Sequence, residues 1–161
     1  MFKVGDKVVY PMHGAGIIEA IEEREILGQK KKCYIMRFPL GDMKVMLPLE
    51  SEKAVGLRQV VDEQGIQEVI EIIKEKRTAS VNTASNWNHR YRANLEKIRS
   101  GNICKVAEVV SILSRREQDK GLSAGERKML ENARQILISE LALARNYEKG
   151  QVETMLEKLL A

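Results

Sequence analysis

Lys3-Val4-Gly5-Asp6-Lys7-Val8-Val9-Tyr10, closed by Pro11, is the stretch on which the fold turns. Its valines suit a pleated strand better than a helix, and Pro11 has no N–H with which to continue a ladder. Three runs of similar character follow: Ala15-Gly16-Ile17-Ile18-Glu19-Ala20-Ile21-Glu22, Cys33-Tyr34-Ile35-Met36-Arg37-Phe38 and Met43-Lys44-Val45-Met46-Leu47-Pro48. Turn residues separate them, from Pro11 to Gly16, at Leu27-Gly28-Gln29 and at Leu40-Gly41-Asp42. Four or five short strands within residues 1–58 predict a small, strongly bent β-barrel of the SH3 or Tudor kind. A barrel of that size buries little, and its usual work is binding.

Past residue 65 the apolar spacing becomes helical. Ile66, Val69, Ile70 and Ile73 mark a helix running up to Lys76-Arg77, and a second helix spans about 86–99 before Ser100-Gly101. Lys97 and Arg99 stand near the negative end of that helix dipole. Ile103, Val106, Ala107, Val110 and Leu113 form the next stripe, reaching Arg116 and stopping before Gly121. Ser123-Ala124-Gly125-Glu126 reads as a capping box opening a long helix through Leu130, Ala133, Ile136, Leu137, Leu141 and Ala144. A last short helix carries Val152, Met155, Leu156 and Leu159. Stripes of this period are core, not the lining of a cofactor site. The expectation is a two-domain α+β chain: a β-barrel module over residues 1–60 and an all-α helical bundle over residues 61–161, divided between Leu57 and Gly65. The small polar residues 78–85 read as an exposed loop.

With 43% hydrophobic and 31% charged residues, the 161-residue chain reads as globular. No apolar run approaches the ~18 residues of a membrane span, and Met1-Phe2-Lys3-Val4-Gly5-Asp6 opens with charge, so a cytoplasmic location with no membrane partner is expected. Cys33 and Cys104 lack CxxC spacing and His13 and His89 are scattered, so no metal site is expected. Gly14-Ala15-Gly16 lacks the Lys-Ser/Thr of a phosphate loop and the third glycine of a dinucleotide fingerprint; it reads as a tight turn. His13 has no nucleophile and orienting acid recognisable near it. No catalytic residue, cofactor or small-molecule substrate is therefore expected, and the chain is not read as an enzyme.

The net charge is only +4, but residues 74–105 hold eight basic residues against two acidic ones, a local charge of +6. Within them stands the single tryptophan, in Asn86-Trp87-Asn88-His89-Arg90-Tyr91-Arg92. Aromatic rings interleaved with cations suit nucleic acid, the cations meeting phosphate and the ring stacking on a base or wedging into a step. The sequence surroundings offer Trp87 little apolar company, which predicts an exposed ring; the competing reading is a ring folded back onto a neighbouring helix.

Phe2-Lys3-Val4-Gly5-Asp6-Lys7-Val8-Val9-Tyr10-Pro11-Met12-His13-Gly14 resembles the opening of the CarD family of bacterial transcription regulators. That motif is shared with the polymerase-interacting module of transcription-repair coupling factor. Three others resemble the family's C-terminal half: Asn86-Trp87 with Arg90-Tyr91-Arg92-Ala93-Asn94-Leu95-Glu96-Lys97, Lys105-Val106-Ala107-Glu108-Val109-Val110, and Gly121-Leu122-Ser123-Ala124-Gly125-Glu126. The resemblance covers essentially the whole chain. It implies that the β module binds the β subunit of RNA polymerase through an exposed strand, by position Met43-Lys44-Val45-Met46, with Arg24 beside it. It further implies that the helical half meets promoter DNA at the upstream edge of the transcription bubble. Trp87 would be a minor-groove wedge there, with Asn86, His89, Arg90, Tyr91, Arg92 and Lys97 around it and Arg127 and Lys128 as a second contact. Such proteins stabilise the open complex without reading an operator, and would associate with the nucleoid through polymerase. Some relatives carry arginine where this chain has His89 and Met46, which bears on phosphate contact at the first and ionic contact at the second.

Two rival classes remain on sequence grounds. One is a sequence-nonspecific nucleic-acid-binding protein whose β module touches nucleic acid directly, which the ten basic and eight acidic residues of 1–58 disfavour. The other is a protein-interaction scaffold with Trp87 buried.

Overall fold

The structure, a computed structural model, describes residues 1–75 and 86–161. The expected helix end at Lys76-Arg77 and the expected loop at 78–85 lie outside the described residues. The β half is one antiparallel sheet of five strands, β1 (Lys7–Tyr10), β2 (Gly14–Ile26), β3 (Gln29–Phe38), β4 (Met43–Pro48) and β5 (Arg58–Gln59), in the order β4-β3-β2-β1-β5. A register shift between Ile18 and Ala20 bends β2. Val8, Ile18, Tyr34, Met36, Phe38, Leu47 and Leu57 fill its core. Val8 and Val9 are adjacent and both buried, so β1 is covered on both faces. That cover is possible because a helix of the C-terminal half packs on β1 and β2.

The first strand and the β2–β3 hairpin differ from the sequence expectation. The first strand begins at Lys7, because residues 3–6 turn: Asp6 accepts the N–H of Lys3 at 2.9 Å, and Gly5 has φ +93°. The β2–β3 hairpin is longer than expected, running four residues past Glu22 and starting its return at Gln29 rather than Cys33. There Glu23 faces Lys32 and Glu25 faces Lys30. Both faces of this ribbon are largely wet, so no apolar alternation could announce it, and opposite charges across the strands replace it. Leu27 and Gly28, both at positive φ, make the tight turn at its tip.

A 3-10 turn (Leu49–Ser51) and the short helix α1 (Glu52–Val55) lead to β5. The helical half comprises α2 (Glu63–Lys74), α3 (Trp87–Arg99), α4 (Ile103–Asp119), α5 (Ala124–Arg145) and α6 (Lys149–Leu160). Asp62, Asn86, Asn102 and Ser123 cap the first four of these, each side chain accepting a backbone N–H of the first turn. The long helix α5 is the spine: it packs on α3, α4 and α6 and, on its other side, on β1 and β2. Its expected stripe is buried at Leu130, Ala133, Ile136, Leu137 and Leu141.

Candidate functional site

The first turn of α3 builds the more distinctive surface. Asn86 is its N-cap, with Oδ1 accepting the N–H of His89 at 2.8 Å. Trp87 and Tyr91 are four apart, hence on one face. Their rings stack with centroids 5.0 Å apart and planes at 20°. The indole Nε1–H donates to Ser123 Oγ at 3.1 Å and to Glu126 Oε1 at 3.2 Å. Gly125 lies beneath both rings: a Cβ built there would sit 3.5 Å from Trp87 Cζ2 and 3.7 Å from Tyr91 Cε2. Trp87 is 40% exposed. The expectation of an exposed ring without apolar company is thus half corrected: the ring keeps that exposure, but Tyr91, one turn on, and the start of α5 pack against it.

Glu126 is only 3% exposed. Ser123 Oγ accepts its N–H at 3.2 Å, which is one half of the expected capping box. Its carboxylate faces the indole, the Ser123 hydroxyl at 3.2 Å and Arg116 Nε at 4.0 Å. The start of α5 is therefore shaped around the tryptophan. Sequence reading found this cap and missed its second use, because the indole comes from 39 residues away.

The other residues assigned to this surface by resemblance separate into groups. His89 and Arg92 are exposed, and Arg90 is half-buried. Lys97 is ion-paired with Glu108 of α4 at 3.2 Å. Arg127 reaches Glu117 at 3.8 Å. Lys128 is exposed and lines, with Tyr91, Leu95, Asn132 and Gln135, an open groove of about 530 Å³ between α3 and α5. The structure thus gathers Trp87, Tyr91 and Lys128 on one side of α5, while the Lys97 charge is already matched.

The second surface is β4. It pairs with β3 alone and forms one edge of the sheet. Its outer row of backbone N–H and C=O groups has no strand beside it among the described residues. Met43 is 49% and Met46 47% exposed, and Lys44 Nζ lies 3.1 Å from Glu19. Arg24 is not part of this patch. It sits on the β2–β3 ribbon and bonds Glu22 at 2.5 Å. From Met46 the pairing runs through Ile35 to Ala20, and Arg24 is four residues further on. That places it about 13 Å along the strand direction and two strand spacings of about 4.8 Å across.

Among the described residues no group of three or more His, Cys, Asp or Glu could hold a metal ion, and no helix is long and apolar enough to cross a membrane.

Two family models match this chain: "CarD-like/TRCF RID domain" over residues 2–61 and "CarD, C-terminal domain" over residues 68–157. The "Putative transcription factor YdeB" of Bacillus subtilis (strain 168) is 40% identical over 154 residues, covering 96% of this chain and 99% of its own length. The solution structure of the 72-residue N-terminal domain of Myxococcus xanthus CarD is 37% identical over 37% of this chain and 79% of its own, with a TM-score of 0.33.

Proposed function

The chain belongs to the CarD family, and on that premise we propose that it regulates transcription by gripping RNA polymerase with β4 and promoter DNA with Trp87. Residues 1–60 act as the polymerase module and residues 61–161 as the DNA module. The edge of β4 extends a strand of the polymerase β subunit, a recognition mode in which backbone bonds give affinity and alternate side chains give fit. Met43, Val45 and Met46 contribute apolar contact, Lys44 a charge, and Arg24 a flanking ionic contact from the ribbon. Trp87 enters the minor groove at the upstream edge of the bubble, with Arg90, Arg92 and Lys128 on phosphates and no base read directly. The result is a longer-lived open complex.

The observation that carries this reading is the presence on one chain of a sheet edge bearing half-exposed methionines and a half-exposed aromatic stack beside exposed cations. Opening a base step costs a few kcal/mol of stacking, and a small basic patch alone binds weakly and with strong salt sensitivity. Holding that patch next to the fork through polymerase raises its effective concentration, so weak DNA affinity suffices. The test measures polymerase affinity and open-complex lifetime with the full chain. Met46→Glu is expected to weaken polymerase binding and with it the lifetime effect. Trp87→Ala is expected to shorten the lifetime while leaving polymerase affinity intact. Equal lifetimes with parent and Trp87→Ala protein would overturn the reading.

A further inference from the structure

The two halves of the chain meet along α5 through polar contacts that neither grip uses. Glu140 stands in the apolar stripe of α5, between Leu137 and Leu141, and is completely buried. Its two carboxylate oxygens accept from Nη1 and Nη2 of Arg58 on β5, both at 2.7 Å, and Oε2 also accepts the N–H of Val61 at 2.8 Å. Arg58 Nε donates to the carbonyl of Gly101, in the α3–α4 turn, at 2.7 Å. One arginine of the sheet therefore ties β5 both to α5 and to the far end of α3, the helix that begins with Trp87. Two lesser ties flank it. Lys7 Nζ donates to Leu143 O at 2.8 Å and to Asn146 Oδ1, and the N–H of Ala15 donates to Ser139 Oγ at 2.9 Å.

An ion pair whose carboxylate is fully buried and whose guanidinium is 30% exposed is a poor route to stability, because the carboxylate gives up its water and the arginine part of its own. What a bidentate guanidinium–carboxylate pair does supply is direction, since two parallel bonds fix distance and angle together. We propose that Arg58 and Glu140 are positioning residues that hold β4 and Trp87 at a fixed span and angle, so that one chain engages polymerase and the DNA beside it at the same time. This rests on the reading above that the two surfaces grip different partners. A fixed span concentrates the second grip at its target; a loose joint spreads it over orientations that cannot reach.

The test uses the full chain with spin labels at the exposed positions of Leu27→Cys and Glu157→Cys, in a Cys104→Ser background, since Cys33 is buried. The parent should give one narrow inter-label distance. Two variants are compared: Glu140→Gln, which turns an amide N–H₂ toward a guanidinium, and the double variant Arg58→Met with Glu140→Met, which removes both charges and keeps the volume. Both should broaden the distance distribution, and the double variant, which leaves no buried charge unpaired, should lose less melting temperature than Glu140→Gln. Polymerase affinity and affinity for forked DNA, each measured alone, should match the parent. The open-complex half-life, which needs both grips together, should fall by about tenfold or more. A narrow distribution in the double variant, an unchanged half-life, or separate affinities that fall in step with the half-life would each overturn the proposal. Should the parent not lengthen the half-life, the functional reading falls, while the distance distributions still decide whether the pair sets the orientation.

Discussion

The indole N–H of Trp87 ends on a carboxylate that is itself 3% exposed, and this pairing governs how the ring behaves. Glu126→Ala should free the indole, shifting its emission to the red and making it easier to quench, at a stability cost of ~1–2 kcal/mol. Glu126→Gln retains an oxygen acceptor and should leave the emission near that of the parent. Identical spectra for the two variants would mean that the carboxylate does not hold the ring. Trp87→Ala itself should cost ~1–2 kcal/mol, the worth of a stacked aromatic pair and a partly exposed ring, against ~3–5 kcal/mol for a buried one. The chain's local sequence reads correctly as a cation-rich surface with an aromatic in it. Its i, i+4 spacing of Trp87 and Tyr91 in an expected helix already puts the two rings on one face, but it is silent on the N-terminus of α5 as their seat, because that is set by tertiary packing.

Within the elements, Tyr34 on β3 is fully buried and donates its O–H to Glu52 of α1 at 2.5 Å, while accepting the N–H of Phe2 at 3.1 Å. Burial first, and the hydrogen bond to Glu52 second, push its pKa above the ordinary 10.0. The folded state thus holds this proton more tightly than the unfolded one. Its contribution is complete below pH 10 and is lost as pH rises through the folded value. Ultraviolet titration should find one of the four tyrosines ionising late and together with loss of sheet signal; ionisation of all four before any unfolding would contradict this. The β1–β2 turn offers a second element-scale test. Gly14 has φ +103°, and a Cβ there would lie 2.7 Å from Ser139 Oγ of α5, whereas Gly28 has φ +80° and open space. Gly14→Ala should therefore cost ~1–3 kcal/mol and loosen the packing of β2 on α5, while Gly28→Ala pays strain alone, ~1 kcal/mol. Equal losses in melting temperature would show that the contact with Ser139 is slack.

At the scale of the whole molecule, the helical stripes were legible because each buries one regular face, and the strands because β-branched runs end in turn residues. The ties between halves were not, since Arg58 and Lys7 look like solvated cations until α5 arrives, though a glutamate at 140 inside an apolar stripe was a visible irregularity. The same tertiary pairing reshapes the charge that DNA would meet. Counting residues, Arg92, Lys97 and Lys128 are equivalent cations of the helical half. In the structure Arg92 and Lys128 are exposed, whereas Lys97 lies 3.2 Å from Glu108. A cation that neutralises a phosphate displaces a counterion, and its removal flattens the log–log salt dependence of binding by about 0.9. Arg92→Ala and Lys128→Ala should each produce that change, with similar weakening on every DNA sequence. Lys97→Ala should change the slope by much less, because the Lys97 charge is already offset by Glu108 before DNA arrives. Titrations of forked DNA across a series of salt concentrations separate the three variants. A full unit of slope lost with Lys97→Ala would mean that the Glu108 pair opens on binding, and a changed sequence preference with Arg92→Ala would point to base readout instead of phosphate contact.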